Sequence, residues 1–117
     1  MDYLGTLPTT SNRIAKYSEL VVGSGIVRSI NSISANTTAG AALGTDYVYL
    51  ASGTITLTIP TAVGNTNRYL MKNVGVGIVT LIFTSGQNAE GDTTATFSSG
   101  QGIELISNNA NYIQIGY

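Results

Sequence analysis

The stretch from residue 54 to residue 83 most constrains what this chain can fold into, because apolar and polar residues alternate in it between clear turn signals. Ile55, Leu57 and Ile59 alternate with threonines, so that one face of the segment is apolar and the other carries hydroxyls. Pro60 cannot donate a backbone hydrogen bond to a sheet, and it ends this strand. Two more alternating runs follow after glycine-containing turns, so the pattern predicts three consecutive strands.

Short alternating runs recur along the rest of the chain at a spacing of about 8 to 12 residues, separated by glycine-containing turns. They cover residues 20–30, which are predicted to form a hairpin, and residues 46–51, 93–97, 101–107 and 112–117. This pattern predicts an all-β fold, an antiparallel β-sandwich or barrel, and no internal repeat of about 20 to 50 residues stands out. We expect an N-terminal arm over residues 1–17, with a helical candidate at 11–20, and a single β domain over residues 18–117.

Charged residues are scarce: they make up 9% of the 117 residues, against about 25% in an ordinary soluble domain, and the net charge is -1. The chain therefore lacks the basic surface that nucleic acids and anionic membranes attract, and it has no apolar run of the roughly 20 residues that span a membrane. Low charge also weakens the usual protection against self-association, which favours a homo-oligomer. Arg68 and Lys72 lie on one strand face, where we expect a solvated edge or a salt bridge with Glu104.

The residue types that are present exclude several kinds of site. The chain has no cysteine and no histidine, so disulfides, the usual zinc sites and Ser-His-Asp or Cys-His nucleophiles are excluded. We predict no metal and no cofactor. Glycoside cleavage needs two carboxylates that face each other, and Glu90 and Asp92 are the candidates, although a solvated turn is the interpretation we favour. The prediction is therefore a protein without catalytic residues.

Seven tyrosines make up most of the aromatic content, and the chain has no tryptophan. The tyrosines are the best candidates for a binding site. Sugars stack on aromatic faces, while amides and hydroxyls bind their hydroxyl groups. Tyr47 and Tyr49 share one face of a strand, and we predict that they bind a ligand together with Asn109, Asn111 and Tyr112. The alternative is that the tyrosines cover the sheet or pack in a subunit interface.

Seven pieces follow one another from the middle of the chain to its end. They are Thr54–Pro60, Gly64–Asn65, Tyr69–Asn73, Gly75–Gly77, Ile78–Phe83, Gly86–Gln87 with Gly91, and Gln101–Tyr112. This ordered series resembles the C-terminal domains of bacteriophage tail fibres and related virion proteins. The chain departs from that pattern where Asn109-Ala110-Asn111-Tyr112 stands in place of Gly-Thr-Asn-Trp, and where Ala89-Glu90-Gly91 stands in place of Ile-Asp-Gly. Residues 1–45 have no counterpart in it.

The resemblance implies a homotrimeric tip on a virus particle that binds a host surface glycan or protein and has no catalytic residues of its own. The expected partners are sister subunits, other virion proteins and a host surface polysaccharide, and the expected location is the virion. We expect the hydroxyl face of residues 54–58 to contact sister subunits rather than solvent or a second sheet. A capsid decoration or head-fibre protein that binds the capsid lattice is the alternative, favoured by a short chain with a polar arm after Met1.

Overall fold

A computed structural model describes residues 27–116 of the chain. The predicted arm, the helical candidate and the first half of the hairpin at residues 20–30 lie outside the described residues. The described part contains strands and no helix, hence no helix that could cross a membrane, and the prediction of an all-β fold is confirmed there. The strands are β1 (Val27–Ile33), β2 (Thr37–Thr38), β3 (Thr45–Ala51), β4 (Ile55–Ile59), β5 (Arg68–Asn73), β6 (Val79–Phe83), β7 (Thr94–Phe97), β8 (Gly102–Ser107) and β9 (Tyr112–Gly116).

The strands form two sheets, and the chain passes from one sheet to the other after each of the first five strands. A five-stranded sheet has the order β9-β8-β5-β3-β1, and a four-stranded sheet has the order β2-β4-β6-β7. The prediction of a wholly antiparallel arrangement is wrong, because β1, β3 and β5 pair in parallel, as do β2, β4 and β6. Among the strands of residues 27–116, the antiparallel pairs are those that β7, β8 and β9 make as they complete the sheets.

Parallel pairing follows from the route of the chain. Val27 pairs with Thr45, and Asp46 pairs with Arg68, so the chain returns to the same sheet after about 20 residues. Parallel neighbours need a crossover connection, and here the crossover is a strand of the opposite sheet instead of a helix. The described chain therefore contains a structural repeat of about 20 residues that is not visible in the amino-acid sequence.

The core lies between the two sheets, and the alternation seen in the sequence decides which side chains enter it. Ile55, Leu57 and Ile59, which form the predicted apolar face, are buried, and Leu57 lies beside Leu81 in the parallel pair of β4 and β6. Burial of one such side chain contributes about 1.5–3 kcal/mol relative to exposure. The inward residues of the five-stranded sheet complete one continuous cluster with them, and these are Tyr47, Tyr49, Ala51, Tyr69, Met71, Ile103, Leu105 and Tyr112.

The outward faces of the two sheets differ in chemistry. The outward positions of the four-stranded sheet, which we call the threonine face, are Thr38, Thr56, Thr58, Thr80, Ile82, Thr94 and Thr96. The outward positions of the five-stranded sheet include an apolar set, which we call the apolar outer face, consisting of Ile30, Val48, Leu50, Leu70 and Ile106. Neither face is covered by another part of the described chain.

Candidate functional site

The tyrosines predicted to bind a ligand lie in the core. Tyr47, Tyr49 and Tyr112 are 8%, 4% and 0% exposed. The rings of Tyr47 and Tyr69 stack with their centroids 5.5 Å apart, and Tyr69 meets Tyr112 edge to face at 6.0 Å. Because these ring faces are occupied by other rings, they present no platform for a sugar, and their position matches the alternative in which tyrosines cover the sheet.

The hydroxyl groups of these tyrosines anchor the loops at one end of the core. The hydroxyl oxygen of Tyr49 accepts a hydrogen bond from the backbone N–H of Gly40 at 2.8 Å, and the hydroxyl of Tyr69 donates to the carbonyl of the same glycine at 2.7 Å. The hydroxyl of Tyr112 donates to the carbonyl of Pro60 at 2.7 Å. Gly40 leaves no room for a Cβ atom, which would overlap the ring of Tyr47. The tyrosine hydroxyls therefore hold the backbone in place.

The two asparagines predicted to join the tyrosines lie in the turn between β8 and β9, where they also hold backbone. Asn109 takes up the left-handed conformation, with φ of 74°, and its side-chain oxygen accepts a hydrogen bond from the N–H of Gly64 at 2.7 Å. Asn111 accepts one from the N–H of Asn88 at 2.9 Å. Asparagine tolerates this conformation better than most residues do. Both side chains thus link neighbouring loops, and within residues 27–116 neither makes a hydrogen bond to Tyr47 or Tyr49.

Arg68 stands at the centre of a polar groove of about 450 Å³ on the outward side of the five-stranded sheet. Its guanidinium donates to the carboxylate of Asp46 at 3.0 Å and to that of Glu104 at 2.9 Å, so the predicted salt bridge with Glu104 is confirmed. The hydrogen bond and charge of Asp46, joined by the charge of Glu104, raise the pKa of Arg68 above its ordinary value. Its charge is therefore matched within the sheet. The groove is lined by Asp46, Asn65, Thr66, Asn67, Arg68, Ile106 and Ser107.

A second groove, of about 350 Å³, crosses the threonine face. Its lining is made of Asn36, Thr37, Thr38, Thr56, Thr58 and Ile82. The side-chain oxygen of Asn36 accepts the N–H of Thr56 at 2.9 Å, which fixes the amide at the edge of the groove. In the sequence, the alternation of β4 already indicates a face of hydroxyl groups. The threonines on either side of β4 belong to β2 and β6, and only strand pairing brings these two strands next to β4.

The carboxylates considered for catalysis lie in a tight turn. Glu90 has φ of 49°, and its carboxylate accepts the backbone N–H of Gln114 at 2.8 Å. The backbone of Asp92 exchanges two hydrogen bonds with Ala89, at 2.9 and 3.0 Å. Residues 27–116 contain no group of three or more carboxylates placed to hold a metal ion. Glu90 therefore stabilises the contact between this turn and β9, and the backbone of Asp92 closes the turn, in keeping with the turn interpretation.

No family model, curated protein or solved structure matched the chain. The chemistry of each surface therefore follows from its own residues. The polar groove carries charges that are already paired, the apolar outer face carries exposed hydrocarbon, and the threonine face carries neutral hydrogen-bonding groups.

Proposed function

We propose that this chain is a non-enzymatic structural protein of a bacteriophage particle, a homotrimeric receptor-binding tip of a tail fibre that recognises a host cell-surface glycan. The observation that carries the proposal is the apolar outer face. Ile30 is 64% exposed, and it lies in register with Val48 and Leu70 on the two neighbouring strands, which makes a hydrocarbon row across the sheet. Contiguous exposed hydrocarbon of this kind is typical of interaction surfaces.

Assembly gives this face a partner. Burial of one exposed Ile or Leu side chain contributes about 1.5–3 kcal/mol, and several per subunit are needed to exceed the roughly 4–15 kcal/mol lost in association. The apolar outer face supplies five apolar side chains on each chain: Ile30 is exposed and contributes in this range, whereas the four half-buried ones contribute less each. Three copies that turn this face toward a common axis would bury all of them, and the low charge of the chain adds little repulsion. We therefore place the contact between sister subunits on the apolar outer face and not, as expected from the sequence, on the hydroxyl face of residues 54–58.

The resemblance to tail-fibre domains supports the virion setting. Its pieces fall on successive elements of the described fold: the first coincides with β4, the next is the turn at Gly64, and Tyr69–Asn73 lies within β5. Two separate sheets with open edges support a sandwich for each subunit in preference to a closed barrel. The enzymatic alternative has no comparable support, since Glu90 is engaged with the backbone.

The mass in solution tests the assembly. We expect light scattering coupled to size-exclusion chromatography to give about three times the 12.1 kDa chain mass. Leu70→Lys should shift the protein to monomer, because three ammonium groups would be brought together in an interface that excludes water. Thr58→Lys on the opposite sheet is the matched control and should remain trimeric. A monomeric wild-type protein, or dissociation by Thr58→Lys alone, would contradict the proposal.

Its place in the particle is tested separately. An antibody against the chain should label separated tails and leave emptied capsids unlabelled. Labelling of capsids alone would favour the alternative, a decoration or head-fibre protein bound to the capsid lattice.

A further inference from the structure

The threonine face is a regular array of hydroxyl groups. Thr56, Thr80 and Thr96 lie side by side on β4, β6 and β7 because the registers of both pairings match. A second row runs parallel to it, with Thr38 beside Thr58. Neighbouring strands are about 4.8 Å apart, and alternate residues along a strand are about 6.7 Å apart. The threonines therefore form a grid with a repeat in two directions.

The part of the chain that the structure describes does not use these hydroxyls. Within residues 27–116, none of the six threonine side chains of this face makes a hydrogen bond to another part of the chain. Threonines elsewhere in the described chain behave differently: Thr61 and Thr66 accept backbone N–H groups, and Thr84 donates to the carbonyl of Ile59. The hydroxyls of the threonine face thus remain available to an external partner, and the methyl groups beside them supply small apolar contacts.

The face carries no charge. None of β2, β4, β6 and β7 contains an acidic or basic residue, whereas the outward side of the other sheet carries Arg28, Asp46, Arg68, Lys72 and Glu104. An anionic polymer would find no counter-charge here, and a folded protein partner would bury many hydroxyls that each need a hydrogen bond. A neutral polymer rich in hydroxyls meets both conditions.

We propose that the groove on the threonine face binds a neutral polysaccharide, and this inference rests on the proposed function because it names the surface and the glycan class for it. Sugar hydroxyls would exchange hydrogen bonds with the side chains of Thr38, Thr56 and Thr58, and the side-chain N–H₂ group of Asn36 would donate another. The side chain of Ile82 and the threonine methyls would contact the C–H faces of the sugar rings. A polysaccharide chain laid across β2, β4 and β6 would meet Thr38, Thr58 and Ile82 in turn, because these residues lie in register.

The test uses the full chain and a panel of immobilised polymers: amylose, mannan, galactan and dextran as neutral probes, and alginate and polygalacturonate as acidic ones. We expect binding to at least one neutral polymer and none to the acidic ones. The double variant Thr38→Val/Thr58→Val removes two hydroxyls and keeps the β-branched shape, so it should bind at least about fivefold more weakly. Ser32→Ala, which removes an exposed hydroxyl from the outward side of the other sheet, is the matched control and should bind as the wild type does.

The outcomes separate this inference from the proposed function. Binding of acidic polymers only, or equal binding by the wild type and the double variant with an unchanged circular dichroism spectrum, overturns the inference. A wild-type trimer that binds no polymer on the panel also overturns it, while the assembly of the proposed function stands. A monomer that binds a neutral polymer through these threonines supports the inference and refutes the trimer.

Discussion

Asn73, the last residue of β5, has a buried amide side chain that holds three backbone groups at one end of the core. It is 0% exposed. Its N–H₂ group donates to the carbonyls of Gly77 at 3.0 Å and Phe97 at 3.1 Å, and its side-chain oxygen accepts the N–H of Gly75 at 3.2 Å. One amide thus joins the turn between β5 and β6 to the end of β7, and it meets the requirement that buried polar groups be hydrogen-bonded.

Asn73→Ala should lower the free energy of unfolding by about 3 kcal/mol. The substitution leaves three backbone groups without their hydrogen-bond partner. Each unsatisfied buried group costs about 1–3 kcal/mol, and we use the lower value because these groups lie at the edge of the core. For a domain of this size, that loss lowers the melting temperature by roughly 12 °C or more. Urea denaturation followed by circular dichroism, at one protein concentration for all variants, measures it as a lower midpoint at an unchanged slope.

Asn108→Ala is the control, because it removes an exposed asparagine side chain that also binds backbone groups. The side-chain oxygen of Asn108 accepts the N–H groups of Ala110 and Asn111 at 3.0 and 2.8 Å, but the residue is exposed, so water replaces it. We expect a loss below about 1 kcal/mol. Equal losses for Asn73→Ala and Asn108→Ala would refute the reasoning that the burial of the amide decides its contribution.

Two further predictions concern the tyrosines that hold the loops. Gly40→Ala should lower the melting temperature, because the added methyl group overlaps the ring of Tyr47, and an unchanged melting curve would contradict this contact. Burial raises the pKa of Tyr49 and Tyr112 above the ordinary value, so the folded chain holds these protons more tightly than the unfolded chain does. The stability from this effect is fully present below about pH 10 and is lost as the pH rises further, which urea denaturation between pH 8 and 11.5 measures. Tyr112→Phe also loses the hydrogen bond to the carbonyl of Pro60, so the variant should be less stable than the wild type at neutral pH. Its stability should fall less than that of the wild type as the pH rises. An equal fall in both proteins would show that the titration of Tyr112 does not cause the alkaline loss of stability.

The sequence itself determines which residues form strands and which residues of a strand share a face. The period of two in β4 decides that Ile55, Leu57 and Ile59 share a face, whatever lies opposite, because successive side chains of a strand point to opposite sides. Pro60 ends the strand for an equally local reason, since it has no N–H group to donate. The prediction of strands over residues 46–51 and 101–107 holds on the same grounds, to within a residue at each end.

The tertiary structure alone decided which strands pair and which face of β3 is buried. A glycine turn permits a hairpin or a crossing to the other sheet, and local residues do not distinguish them, so the parallel pairing and the repeat of about 20 residues were missed. Likewise, the sequence places Tyr47 and Tyr49 on one face and Val48 and Leu50 on the other, and both faces are apolar enough to be buried. The tyrosines enter the core, where their hydroxyls accept the backbone N–H groups of Gly40 and Ala42 in the loop that precedes β3. That leaves the aliphatic residues outside, where the proposed assembly would bury them. The threonines of β4, which alternation identified, stand beside those of neighbouring strands in rows that only strand pairing could align.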